Sequence, residues 1–314
     1  MTLKPDTKAF IDMVEAANAE APPRSEQSPD YARDGYQALA HVLGPGPEPG
    51  GGIEDSQLPG PAGEIPVRVY RPGTDGPHPA LVFFHGGGFV VGDLQTHDKE
   101  CRLLCEKAGC LVLAVDYRRA PEDPFPAAVE DAWAVVQWVN QHGVQIGIDT
   151  TRVAVGGDSA GGNLAAVTAL MARDAEIDLK LQMLVYPATD ASRHYDSFVE
   201  NKDGPLLTVE AIDWFWSHYL GPETSEEMLS DWRFSPARAS NHRGLAPAYL
   251  ATCSADPLRD EGNAYVQLLR SAEVPVSHSM FEGEPHVLFQ MFNVCEGAKT
   301  LIAECAAALV TAFE

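Results

Sequence analysis

The chain is short of positive charge. Its 22 lysines and arginines face 45 aspartates and glutamates, giving a formal net charge of −23, so a phosphate backbone would be repelled and nucleic acid is a poor partner. Long apolar runs are missing too. Stretches such as Ala80–Phe84 and Leu111–Val115 fall far below the roughly 20 residues that a membrane-spanning helix requires. Cysteine is scarce. Six in 314 residues, Cys101, Cys105, Cys110, Cys253, Cys295 and Cys305, with no Cys-x-x-Cys pair, form no disulfide framework and are expected as reduced thiols. Cys101 and Cys105 stand four apart on an expected helix, where small buried residues are the ordinary reading and metal ligands the rarer one. The remaining histidines show no zinc-ligand spacing. The first twenty residues scatter Lys4, Asp6, Lys8, Asp12 and Glu15 among isolated apolar positions. That pattern lacks the continuous apolar centre of a signal peptide, and a cytoplasmic location is the default expectation.

What is present is a βα alternation. Short runs rich in β-branched residues read as strands at Ile65–Tyr70, Ala80–Phe84, Leu111–Asp116, Arg152–Gly156, Leu181–Tyr186, Pro247–Thr252 and Val274–Phe281. Helical patterns lie between most of them, at Thr96–Ala108, Ala127–Gln141, Ser159–Arg173 and Glu261–Ala272, with a last one from Cys295 to Phe313. A parallel crossover needs a bridging helix, so this order predicts an α/β fold with a mostly parallel sheet covered on both faces. Pro45–Gly63 is crowded with proline and glycine and reads as a linker or loop boundary. Before it, Phe10, Val14 and Ala17, then Tyr36, Leu39, Val42 and Leu43, recur at helical spacing. From about Thr189 to Leu245 the alternation stops, and this stretch reads as an insertion.

One segment carries most of the chemistry. In Arg152-Val-Ala-Val-Gly-Gly-Asp-Ser-Ala-Gly-Gly-Asn a strand ends, a glycine-rich turn follows and a helix begins. Ser159 sits at the turn, flanked by Gly157 and Gly161 in Gly-x-Ser-x-Gly, so its hydroxyl is pushed outward and the free N–H groups of a helix N-terminus lie behind it. That arrangement makes Ser159 a candidate nucleophile. The second segment is Phe84-His-Gly-Gly-Gly-Phe, where only glycine lets backbone amides converge closely. Two of the N–H groups of Gly86, Gly87 and Gly88, with that of Ala160, are candidate donors to the oxygen of a tetrahedral intermediate. His85 is read as structural, holding the loop by a hydrogen bond. No Gly-Lys-Ser/Thr or Gly-x-Gly-x-x-Gly match supports a phosphate loop.

A serine hydroxyl is a poor nucleophile unaided, so an acid and a base should follow it in the order Ser, Asp or Glu, His. Asp256, just after the strand Pro247–Thr252, is the preferred carboxylate because active-site groups gather at the C-terminal ends of parallel strands. Asp260 and Glu261 share that loop but fit equally as charges at a helix start. Of the two histidines that follow, His286 lies beyond the strand Val274–Phe281 and is the preferred base, whereas His278 lies within it. His97 and Asp98 read as a helix cap. Asp158 could tune the histidine or accept N–H groups of the turn. The aromatic cluster Trp214–Tyr219 is read equally as core or as pocket wall.

Taken in order, His85-Gly-Gly-Gly, Gly157-Asp-Ser-Ala-Gly-Gly, Asp256-Pro-Leu-Arg-Asp and His286 resemble the hormone-sensitive-lipase-like family of microbial carboxylesterases. Asp116-Tyr-Arg-Arg-Ala-Pro-Glu, Pro126-Ala-Ala-Val-Glu-Asp-Ala and Gly204-Pro-Leu-Leu-Thr extend the resemblance over residues 55 to 290. It implies an α/β-hydrolase core at 51–188 and 246–314, with a helical cap made of the N-terminal helices at 1–50 and the 189–245 insertion. It also implies short- to medium-chain acyl ester substrates and a homodimer through an edge strand or the cap, and Phe198, Leu206, Leu207, Trp214 and Phe215 of the insertion are the candidate pocket residues. No metal or organic cofactor is expected. The chain departs from the family pattern at Arg119, where leucine is common, and at Gly283-Glu-Pro-His, where a glycine- or methionine-containing turn is common. Two other readings share these residues: an amidase or lactonase with the same triad, and a silent hydrolase scaffold that binds a small hydrophobic ligand.

Overall fold

The computed structural model describes residues 2–314. Eight strands form one sheet: β1 (Ile53–Gly60), β2 (Gly63–Tyr70), β3 (His78–Phe84), β4 (Leu111–Val115), β5 (Ile148–Asp158), β6 (Gln182–Val185), β7 (Ala248–Ala255) and β8 (Val276–Pro285). Their spatial order is β1-β2-β4-β3-β5-β6-β7-β8. The first two pairings, β1 with β2 and β2 with β4, are antiparallel, and all the others are parallel. Every expected strand is present. The Pro45–Gly63 stretch, expected as a loop boundary, is corrected in part: β1 lies inside it. Only Leu58 of that strand is buried, so no apolar alternation marked it.

The helices are α1 (Pro5–Ala17), α2 (Pro29–Leu43), α3 (Asp98–Ala108), α4 (Ala127–His142), α5 (Ala160–Asp174), α6 (Asp196–Glu200), α7 (Val209–Tyr219), α8 (Glu226–Ser230), α9 (Arg259–Ser271) and α10 (Glu296–Phe313). Successive strand residues point to opposite faces, and the core divides accordingly. From β3, Ala80, Val82 and Phe84 join the cluster that takes in α4, α5 and α9 residues such as Val135, Leu164 and Val266. Leu81 and Phe83 join the opposite cluster, with Leu104 of α3, Leu301 and Leu309 of α10 and Phe10 of α1. Burying one leucine-sized side chain in such a layer contributes about 1.5–3 kcal/mol. The sheet is therefore a fixed platform whose parallel strands all open at one edge, where β3, β5 and β7 deliver the glycine loop, Ser159 and Asp256.

Among the described residues, no helix is long and apolar enough to cross a membrane. All six cysteines are free and buried. The segment between β6 and β7 holds α6, α7 and α8. It touches the N-terminal part of the chain directly: the Trp214 indole N–H donates to Gln27 O at 3.1 Å, and the Ser25 hydroxyl donates to Glu210 at 2.6 Å.

Candidate active site

The turn between β5 and α5 forces Ser159 into φ 54°, ψ −117°, a strained region that costs on the order of 1–3 kcal/mol and persists only where the surroundings fix it. Glycine is required on both sides. A Cβ on Gly157 or on Gly161 would collide with the Phe84 carbonyl oxygen. The tight approach of the turn to β3 is what brings the serine beside the glycine loop.

In that loop Gly87 and Gly88 adopt φ 122° and 59°, and a Cβ on Gly88 would run into the Phe215 ring. The three loop amides are not equivalent. Gly86 N–H donates to Asp158 Oδ1 at 2.9 Å, so it is already engaged. The N–H groups of Gly87, Gly88 and Ala160 have no acceptor among the described residues, the last because the first amides of a helix have no partner within it. His85 is neutral: burial and then the charge of His97 push its pKa down to about 3. Its Nδ1 lies 2.8 Å from Gly86 O, and its ring stacks on Tyr117 at 4.2 Å, as a residue that holds the loop should.

Asp158 is buried behind the loop and has a second partner that the sequence did not suggest. His97, expected as a helix cap, makes no capping bond. Its Nε2 instead lies 3.2 Å from Asp158 Oδ1. Burial alone would neutralise both groups, but each outweighs that penalty for the other: the carboxylate raises the His97 pKa, and His97, with the Gly86 N–H, holds the Asp158 pKa below its usual range. The pair lies 61 residues apart in sequence, so no local pattern announces it. Arg33 of α2 adds a brace, donating to Val90 O and Ala120 O at 3.0 Å each.

Ser159, His286 and Asp256 come together. The Ser159 hydroxyl oxygen lies 2.9 Å from His286 Nε2, and His286 Nδ1 lies 2.7 Å from Asp256 Oδ2. Asp256 is 0% exposed, and its other oxygen accepts the Leu258 N–H at 2.8 Å. An ionised carboxylate only accepts, so Nδ1 carries the imidazole proton and Nε2 is left free to accept one. The Tyr186 ring packs at 4.5 Å against the imidazole and limits its rotation.

The competing residues are occupied elsewhere. Asp260 accepts from Arg259 and from the Ser197 N–H at 3.0 Å. Glu261 accepts the Thr189 N–H at 2.6 Å, and burial lifts its pKa well above the carboxylate range. His278 is hydrogen-bonded to Thr252 at 2.9 Å. Of the five pocket candidates, Phe215 meets the glycine loop directly. Phe198 and Leu207 lie in an apolar cluster with Ala211, Ile212 and Leu258. Leu206 packs against the α3–α10 side of the core. Trp214 is fixed by its bond to Gln27 and lies under the Arg24 guanidinium, 5.6 Å from the ring centre.

Known proteins resemble this chain in fold and in sequence. Residues 81–290 match the α/β-hydrolase-fold family. The chain is 45% identical to the carboxylic ester hydrolase LipN of Mycobacterium tuberculosis over 88% of its own length and 75% of that protein. It is 36% identical to an ethyl acetate hydrolase of Pseudomonas putida, over 95% of each. Among solved structures, the hyperthermophilic esterase of the archaeon Pyrobaculum calidifontis superposes with a TM-score of 0.92 at 35% identity, covering 99% of both chains. With such identity over most of its length, and with the family match over residues 81–290, this chain belongs to the hormone-sensitive-lipase-like carboxylesterases of the α/β-hydrolase fold.

Proposed function

We propose that ester cleavage in this protein runs through Ser159 as nucleophile, His286 as general base and acid, and Asp256 as the carboxylate that orients the imidazole. The observation that carries this reading is the relay of 2.9 and 2.7 Å from Ser159 through His286 to Asp256, set beside three unpaired amides. His286 Nε2 takes the hydroxyl proton as Ser159 Oγ bonds to the ester carbonyl carbon. The carbonyl oxygen becomes an oxyanion received by the N–H groups of Gly87, Gly88 and Ala160. The imidazolium then protonates the departing alkoxide, leaving an acyl-serine and a free alcohol. Water enters and gives a proton to the same histidine as its oxygen bonds to the acyl carbon, and the acid departs as the imidazolium returns that proton to Ser159 Oγ. Each amide lost from the oxyanion site should cost on the order of 10²–10³ in turnover.

The helices of residues 1–50 and the 189–245 insertion form the cap over this site in our reading, with Phe215 as the side chain nearest the reacting carbonyl. A bulky ring against the glycine loop leaves room for a small acyl group, and a relative carries the name ethyl acetate hydrolase. Short- to medium-chain acyl esters are therefore the substrate class. β8 is the edge strand of the sheet and its Met280 is 40% exposed; the part of that edge ahead of Gly283, where Lys4 binds, is where a second copy would pair in a homodimer. Six buried free thiols suit a reducing compartment and support a cytoplasmic location.

Initial rates on p-nitrophenyl esters from acetate to palmitate test the substrate class. The expected profile is highest at acetate to hexanoate and falls at least tenfold by laurate, since one methylene in a fitted pocket changes discrimination by roughly 1–3 kcal/mol. A maximum at palmitate would show that the pocket is long and the assignment of Phe215 wrong.

A further inference from the structure

The loop that carries His286 is held from a direction that the relay itself does not use. β8 is the last strand of the sheet, so one flank of it has no strand neighbour. On the other flank its pairing with β7 shifts register between Cys253 and Ala255, just where the chain approaches His286. The N-terminal segment fills the gap. Lys4 N–H donates to Gly283 O at 3.0 Å, and Gly283 N–H donates to Ser254 Oγ at 2.7 Å. Next along the chain stands Glu284, two residues before the histidine and 0% exposed. Its Oε2 accepts the buried Thr7 hydroxyl of α1 at 2.6 Å, and its Oε1 lies 3.3 Å from Lys4 Nζ. The first turn of α10 closes against it: a Cβ on Gly297 would collide with Oε1.

A carboxylate placed here is costly if it serves only to fill space. Oε1 has no hydrogen bond among the described residues, its cationic partner is half exposed, and an apolar side chain of similar volume would avoid the desolvation penalty. What a carboxylate adds is direction, because a hydrogen bond and an ion pair fix the loop against α1 at a defined distance and an apolar contact does not. We propose that Glu284 is a positioning residue for His286, and that the start of α1, through Thr7 and the preceding Lys4, is the element against which the catalytic base is set. This rests on the reading of His286 as the base. The N-terminal helix then contributes to turnover and not only to covering the site.

The test compares wild type with Thr7→Val, Glu284→Met, Glu284→Gln and the Thr7→Val/Glu284→Met double variant, by kcat and KM on p-nitrophenyl butyrate and by thermal melting. Thr7→Val and Glu284→Met should each lower kcat on the order of tenfold with KM within about twofold, since small displacements of a reacting group cost rate before affinity. The double variant should be no slower than the slower single one, because both remove the same contact. Glu284→Gln keeps an acceptor for the Thr7 hydroxyl and should retain most of the activity. Variants that melt earlier but turn over at the wild-type rate would overturn the proposal, as would additive losses in the double variant. If Glu284→Met does not fold, Thr7→Val, which exchanges a hydroxyl for a methyl group, decides the question alone. An active wild type with unaffected variants refutes only the role of Glu284, whereas an inert wild type refutes the reading of His286 as well.

Discussion

Replacing Ser159 by alanine is expected to lower kcat by about 10⁶ while leaving the fold intact. The size of the loss follows from the relay acting as a unit: without Oγ there is nothing for His286 to activate, and only the amides of the glycine loop and Ala160 remain to assist direct attack by water. That remnant should still exceed uncatalysed hydrolysis by about 10³–10⁴. The fold should survive because Oγ makes its bond to His286 and none to the surrounding scaffold. Alanine tolerates φ 54° no worse than serine does, so the melting temperature should stay within a few degrees of wild type. Steady-state hydrolysis of p-nitrophenyl acetate and circular-dichroism melting check both halves. More than a hundredth of the wild-type rate in a folded variant would mean that another group attacks the ester.

Asp256→Asn is expected to cost about 10⁴ in kcat at neutral pH with little change in KM. The reasoning turns on donors and acceptors. Asp256 receives two N–H groups, from Leu258 and from His286 Nδ1, and asparagine has a single oxygen to offer them. The Leu258 amide is fixed by the backbone and takes that oxygen. The new NH₂ group then faces Nδ1, which can meet it only as an acceptor. The imidazole proton is forced to Nε2, the atom that must receive the Ser159 proton, and the base is disabled with its geometry nearly unchanged. Kinetics of this variant also separate Asp256 from its neighbours. A loss of less than tenfold would return Asp260 or Glu261 to consideration, although Arg259, Ser197 and Thr189 already occupy those carboxylates.

How far the sequence was readable depended on whether a feature is local. The elbow at Ser159 is spelled out within a few consecutive residues, because a strand end, a forced turn and a helix start each have their own residue requirements. The inner parallel strands β3, β4, β6 and β7 were legible because both of their faces are buried, which makes them nearly continuous apolar runs. β1 was not: it turns most of its residues to solvent and sits among prolines and glycines. His97 was misread for a different reason. Its position before α3 looks like a cap, and its partner Asp158 comes near only when β3 and β5 lie side by side. The same contact separates Gly86 from Gly87 and Gly88, three residues that are interchangeable on the page. Glu284 belongs with these. Its partners, Thr7 and Lys4, are at the far end of the chain, and no spacing rule connects residue 284 to residue 7.

The most direct test is stoichiometric labelling with an alkyl p-nitrophenyl phosphonate ester, followed by intact-mass and peptide analysis. Attack by Ser159 Oγ forms an oxygen–phosphorus bond, expels p-nitrophenolate and leaves a tetrahedral phosphonyl group whose oxygen occupies the oxyanion site. The account predicts one p-nitrophenolate released and one phosphonyl group gained per active chain, on the peptide containing Ser159, with loss of esterase activity in step and no labelling of Ser159→Ala. A label on any other residue that tracks the loss of activity, or ester hydrolysis that persists after complete labelling of Ser159, would contradict it.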